Sequence, residues 1–188
     1  MSDQNIKTNQ KKECIKKELS IIIVNYNGET VLEECLQSIY RSKTETSYEV
    51  IVIDNDSKDN SIQLLERHKD SITLIKNSEN KGFSAANNQG INIASGEKIF
   101  LLNNDTILNE TTLEDLMSYY NDHPEIGALA PKLLNKDKSL QAPGSILGAW
   151  QFNSEKPKKL SFLCGAAFLT TKEILKKTNG LDENFFFY

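Results

Sequence analysis

The sequence predicts an α/β fold built on a mainly parallel, Rossmann-like sheet, and three observations predict it. Short β-branched apolar runs alternate with stretches of helical periodicity through the first half of the chain. The runs are apolar throughout rather than at every second residue, the pattern of strands covered on both faces. Each run also ends in polar, ligand-capable residues, and in parallel sheets such junctions gather at one edge.

Leu19-Ser-Ile-Ile-Ile-Val24 is the first strand, and order is expected to begin there after a polar, lysine-rich extension over residues 1–18. After Asn25-Tyr-Asn-Gly28, Val31, Leu32, Cys35, Leu36, Ile39 and Tyr40 fall on one face of a helix. Tyr48-Glu-Val-Ile-Val-Ile53 is the second strand, closed by Asp54-Asn-Asp-Ser57 and followed by a helix carrying Ile62, Leu64 and Leu65. Ile72-Thr-Leu-Ile75 is the third, leading through Lys76–Gly82 into a helix over Ser84–Ala94, and Lys98-Ile-Phe-Leu-Leu102 is the fourth. Such βαβ units are right-handed and place helices on both faces of the sheet, in three layers. A helix follows over Thr111–Tyr120, broken at Pro124, and Ile126–Pro131 opens a strand-rich, loop-rich region. Ser161–Leu169 reads as a buried strand, and the helix Lys172–Lys177 ends at Asn179-Gly180, a left-handed cap.

Composition narrows the function. With 188 residues, 38% of them hydrophobic, the chain can bury the core of one domain. A net charge of −4 excludes a nucleic-acid binder with a basic face, and no G-x-G-x-x-G or G-x-x-x-x-G-K-[ST] occurs, so dinucleotide and P-loop chemistries are set aside. Cys14, Cys35 and Cys164 include no C-x-x-C pair, which fits a reducing, cytoplasmic setting, and Cys35 and Cys164 read as small core residues. No apolar run is long enough to span a bilayer. His68 and His123 read as solvated helix-end residues, and Phe185 to Tyr188 as core. Lysines 156, 158 and 159 form a solvated cluster that can meet an anionic lipid surface at the inner face of a membrane.

The junctions suggest nucleotide chemistry. Asn103-Asn-Asp105 stands where the fourth strand runs out, and a carboxylate there can hold a hard divalent cation, which can bridge two phosphates. Tyr26 can stack on a base, and Asp54 can accept from the imide N–H of a pyrimidine. Turn formation and helix capping account equally for Asp54 and Asp56 in isolation.

Taken together, Ser20-Ile-Ile-Ile-Val-Asn-Tyr-Asn-Gly28, Val50-Ile-Val-Ile-Asp-Asn-Asp-Ser57, Asn80-Lys-Gly-Phe-Ser-Ala-Ala-Asn87, Leu101-Leu-Asn-Asn-Asp-Thr106 and Gly180-Leu-Asp-Glu-Asn-Phe-Phe-Phe-Tyr188 resemble the family 2 glycosyltransferases of the GT-A fold. The resemblance implies a GT-A domain over 19–188, with a nucleotide-sugar half at 19–106 and an acceptor half at 107–188. Within it Asn25, Tyr26, Asp54, Lys81, Gly82 and Asn103 match nucleotide-binding positions, and Asp105 matches the carboxylate that holds Mg²⁺ or Mn²⁺. Asn in place of the first Asp of that motif resembles the rhamnosyltransferase-like branch and tilts the donor toward dTDP-rhamnose, with UDP-hexoses as the other choice. Gly165, Ala166 and Trp150 are candidates for the acceptor side.

Inverting transfer to a glycan or lipid-linked glycan hydroxyl needs a general base. The family places that base just after the segment matching Gly180–Tyr188, so the expectation is a chain cut short of it, with Asp182 and Glu183 as nearby substitutes. A nucleotide-sugar-binding module without turnover is the alternative.

Overall fold

The computed structural model describes residues 16–141, 154, 156–160 and 162–186. A five-stranded sheet of order β3-β2-β1-β4-β5 forms its centre. Its strands are β1 (Leu19–Asn25), β2 (Tyr48–Asp54), β3 (Thr73–Lys76), β4 (Lys98–Asn103) and β5 (Ala167–Thr171). β1, β2, β3 and β4 are parallel, and β5 runs antiparallel on the free edge of β4. The helices are α1 (Leu32–Tyr40), α2 (Ser61–Arg67), α3 (Gly82–Ile93), α4 (Thr112–Asp122) and α5 (Lys172–Lys177).

The strands alternate their side chains between two cores. Ile21, Ile23, Val50, Val52, Phe100 and Leu102 face α1, α2 and α4, which supply Leu36, Ile39, Leu65 and Met117. Ile22, Ile51, Ile53, Ile99 and Leu101 face α3 and α5, which supply Ala86, Ile91 and Leu175. Apolar residues at every strand position are thus used on both sides, as the unbroken runs predict. Because α1 and α2 lie on one face and α3 on the other, the chain winds outward from β1 to β3 and then returns to place β4 on the far side of β1. That reversal falls between β1 and β4, and in sheets of this kind ligands bind at the carboxyl ends of the strands flanking such a point.

Several expectations need correction. The last strand begins at Ala167 and runs to Thr171, whereas 162–164 are irregular and Gly165–Ala166 form a turn. Its span is set by antiparallel pairing with β4, where Ala167 meets Leu102 and Thr171 meets Lys98. Ordered pairing also starts before Leu19: the Glu18 amide donates to the Ser47 carbonyl at 3.0 Å, and its carbonyl accepts from Lys98 at 3.1 Å. His68 is not a solvated helix end, because its side chain is only 13% exposed and meets the Glu33 carboxylate at 3.0 Å. That contact ties α2 to α1 and holds the Glu33 carboxyl below its usual range. Phe185 and Phe186 are not core either, being 58% and 49% exposed, and Phe187 and Tyr188 fall outside the described residues. Cys35 is buried as expected, while Cys164 is only half-buried. Asn179 and Gly180, with φ of 60° and 79°, form the left-handed end of α5. Among the described residues no helix is long and apolar enough to cross a membrane.

Gly90 shows how closely α3 lies on the sheet. A Cβ there would stand 2.6 Å from Ile22 Cγ2 and 2.9 Å from Ile53 Cδ1. Gly90→Val should therefore destabilise the chain by about 1–3 kcal/mol in denaturant unfolding, the usual cost of overpacking. Gly127→Ala, whose Cβ would meet nothing nearer than Ile174 Cδ1 at 3.9 Å, should stay within about 0.5 kcal/mol of the parent.

Candidate functional site

The parallel register sets Asn25 beside Asp54 and Val24 beside Asn103, so β1, β2 and β4 end side by side. Asn25 and Asp54 are buried at these ends and bond one another and the half-buried Ser57 and Asn104. The Asn25 amide donates through Nδ2 to Asp54 Oδ1 at 2.9 Å and to Ser57 Oγ at 3.1 Å, and its Oδ1 accepts from Asn104 Nδ2 at 2.8 Å. Ser57 in turn donates its hydroxyl to Asp54 Oδ1 at 2.7 Å and its amide to Oδ2 at 3.0 Å. The Asn27 amide donates to the Ser57 hydroxyl at 2.9 Å, and the Asn55 amide to the Asn25 carbonyl at 2.7 Å. One knot of hydrogen bonds thus joins the loops after β1, β2 and β4.

Two backbone conformations let the loops pass through this knot. Asn27 and Asp56 take φ of 52° and 71°, which suits Asn and Asp better than other residues with side chains. Gly28 has no space for a side chain, since a Cβ would lie 2.1 Å from Asn25 Oδ1 and 2.3 Å from Asn104 Nδ2.

The nucleotide-binding candidates divide into a buried frame and a solvent-facing set. Asn25 is fully buried and Asp54 is 1% exposed, and the hydrogen bonds above occupy much of their capacity. Asp54 Oδ2, with a single internal donor, retains acceptor capacity. Tyr26 at 47% exposure, Lys81 and Asp105 reach solvent. No hydrogen bond or ion pair holds the Asp105 carboxylate among the described residues. Its charge is nonetheless felt inside: burial first, and Asp105 second, push the Cys35 thiol up to about 12. Cys35 Sγ donates to the Asn103 carbonyl at 3.6 Å, behind the loop, so its role is packing.

The N-terminus of α3 is already bonded. Gly82 donates its amide to Asn80 Oδ1 at 2.9 Å and Phe83 donates to the Phe186 carbonyl at 2.9 Å. Gly82 sits at φ 80°, where a Cβ would meet the Phe186 backbone within 3.0 Å. An anion at this end of α3 would therefore find few free helix amides, and its charge would be met instead by the exposed Lys81 ammonium.

The candidate acceptor residues Gly165 and Ala166 lie directly against this edge, because the Asn103 amide donates to the Ala166 carbonyl at 2.8 Å. Gly165 also lines a cleft of about 280 Å³ with Phe83, Leu163, Phe168, Asp182 and Phe185. Trp150 falls outside the described residues. Asp182 accepts from the Asn184 amide at 3.0 Å, and Glu183 accepts from Asn88 Nδ2 at 2.8 Å. No three His, Cys, Asp or Glu side chains converge among the described residues. A hard cation at Asp105 would then take one protein carboxylate, with diphosphate oxygens and water completing its shell, and the unbonded carboxylate fits that arrangement.

The glycosyl transferase family 2 profile matches residues 20–178. The chain belongs to that family. Among curated proteins, the poly(ribitol-phosphate) beta-glucosyltransferase of Bacillus spizizenii is 32% identical over 108 residues, 55% of this chain and 17% of that one. The poly(ribitol-phosphate) beta-N-acetylglucosaminyltransferase TarP of Staphylococcus aureus is 30% identical over 107 residues, covering 55% and 33%. The structure of S. aureus TarS 1–349 in complex with UDP has a TM-score of 0.72 at 21% identity, over 89% of this chain and 51% of that one. The mannosyltransferase PcManGT from Pyrobaculum calidifontis, in complex with GDP-Man and Mn²⁺, gives 0.71 at 20% identity, over 91% and 49%. These likenesses show the fold to be of the GT-A kind. The chain spans about half the length of these solved structures and a third or less of these curated relatives.

Ser57 and Asn104 carry much of the site's frame, and only their place in the junctions Asp54–Ser57 and Asn103–Asp105 pointed to them. Ser57→Ala removes a hydroxyl that accepts from Asn25 and Asn27 and donates to Asp54. It should lower stability by about 1–3 kcal/mol in denaturant unfolding, the cost of stranding buried polar groups. A loss below about 0.5 kcal/mol would mean that water replaces the hydroxyl.

Proposed function

We propose that this chain binds a nucleotide-diphosphate hexose at the carboxyl ends of β1 and β4 and serves as the donor-binding part of an inverting glycosyltransferase whose acceptor is a hydroxyl of a glycan or lipid-linked glycan. The observation that carries this reading is the convergence of Tyr26, Asp54, Lys81 and Asp105 from separate junctions at one sheet edge, with Ala166 bonded to Asn103 beside them.

Each residue has a part that suits its chemistry. Tyr26 offers an exposed ring to stack on the base, and Asp54 Oδ2 accepts from a pyrimidine imide N–H. Lys81 meets the diphosphate. Asn25 supports Asp54 from beneath, and Asn103 sets the height of Asp105 through its backbone bond to Ala166, in the turn before β5. A divalent cation, Mg²⁺ or Mn²⁺, held by Asp105 would offset the charge that builds on the departing diphosphate. The neighbour bound to GDP-Man and Mn²⁺ supports the cation.

The relatives favour a UDP-hexose over dTDP-rhamnose. Their names specify glucosyl and N-acetylglucosaminyl transfer, and TarS has been solved with UDP-GlcNAc. The same relatives, named for transfer to poly(ribitol-phosphate), support a polymeric glycan-type acceptor hydroxyl.

Calorimetry tests the donor assignment. UDP should bind more tightly than CDP or GDP, and EDTA should weaken UDP without changing the affinity for uridine. Asp105→Ala should cost UDP at least tenfold in the presence of Mn²⁺, about 1.4 kcal/mol. Equal affinity for the three diphosphates, or UDP binding indifferent to both EDTA and Asp105→Ala, would overturn this reading.

A further inference from the structure

Asn55 follows the proposed base reader Asp54, is buried, and uses every hydrogen-bonding position its side chain has. Nδ2 donates to Asn80 Oδ1 at 2.7 Å and to the Gly82 carbonyl at 3.3 Å. Oδ1 accepts from Asn77 Nδ2 at 3.0 Å and from the Lys81 amide at 3.1 Å. A primary amide has two donors and two acceptor lone pairs, and here all four are spent on one loop. The backbone of Asn55 is meanwhile fixed on the other side, its amide donating to the Asn25 carbonyl at 2.7 Å. The loop has few ties besides these: Asn77 pairs with Gln89 of α3 at 2.8 and 3.0 Å, and its amide donates to the Asp54 carbonyl at 2.9 Å.

We infer that Asn55 is a positioning residue of the donor site, whose side-chain amide holds the loop 77–82 at a fixed height over the end of β2, so that Lys81 and Asp54 address the same nucleotide. The inference rests on the donor reading above for the word nucleotide, and on geometry alone for the loop. Asn55 touches no substrate in this account. It acts through Lys81, whose backbone it holds and whose ammonium is exposed.

The amide is needed for its donors as well as its shape. Asp at position 55 would turn a carboxylate oxygen toward the Gly82 carbonyl, which cannot rotate away. It would also face Asn80 Oδ1, which is pinned by the Gly82 amide at 2.9 Å. An isosteric change should therefore be as damaging as truncation, which a purely space-filling role would not produce.

The test uses the 188-residue chain and two independent readouts. In Asn55→Ala and Asn55→Asp, amide hydrogen exchange at Lys81 and Gly82 should speed up at least tenfold while Leu101 and Leu102 of β4 keep their protection. UDP affinity with Mn²⁺ should fall about tenfold in both variants. Should Asn55→Ala fail to fold, Asn80→Ala at the loop itself is expected to give the same local exchange and the same affinity loss. Combined with Asn55→Asp, it should add little further. Unchanged exchange at Lys81 and Gly82, or an Asn55→Asp variant that binds UDP like the parent, would overturn the inference. A parent chain that binds no nucleotide while the exchange result holds would instead remove the donor reading and leave Asn55 as a loop anchor only.

Discussion

Three parallel strands end side by side at Asn25, Asp54 and Asn103, and the polar groups left there must find partners away from water. The knot around Asn25, Asp54, Ser57 and Asn104 meets that demand. Four groups share its bonds, so the loops after β1, β2 and β4 cannot move independently without breaking a bond to buried Asn25 or Asp54. The site's solvent-facing groups inherit their positions from this frame. Tyr26 is the residue after Asn25, and Asp105 is the residue after Asn104. The winding of the chain completes the arrangement: β4 returns beside β1, so the loops carrying Tyr26 and Asp105 leave the sheet side by side.

Much of this was legible in the sequence, for a physical reason. Strands covered on both faces need apolar residues at every position, and the runs at Leu19, Tyr48 and Lys98 have few other uses. Polar residues at strand ends marked the edge where the site forms. The last strand was less legible because Phe162, Leu163 and Cys164 share the apolar character of β5. Register with β4, not composition, decides that pairing starts at Ala167. His68 was misread because its neighbour Glu33 lies 35 positions away on α1.

The frame itself was the least legible part. Its bonds join residues far apart in sequence, such as Asn104 to Asn25 across 79 positions. Asn and Ser are common loop formers, so their number in these junctions says nothing of which pairs meet. Resemblance named Asn25 and Asp54 as nucleotide contacts, and the structure adds that both are buried and largely spent on each other and on Ser57. The division of labour is therefore finer than a motif suggests. Buried Asn25 and Asn55 and half-buried Ser57 set the geometry, and the groups left for a ligand are the second oxygen of Asp54 and the exposed Tyr26, Lys81 and Asp105.

A crystal structure of this chain grown with UDP and Mn²⁺ tests the central claim most directly. The account predicts uracil against the Tyr26 ring, an Asp54 oxygen within hydrogen-bond reach of the base, and Asp105 in the coordination shell of a cation that also binds the diphosphate. The bonds of Asn25 to Asp54, Ser57 and Asn104 should stay intact. UDP bound away from the carboxyl ends of β1 and β4, or a nucleotide seated there only after that knot has opened, would contradict it.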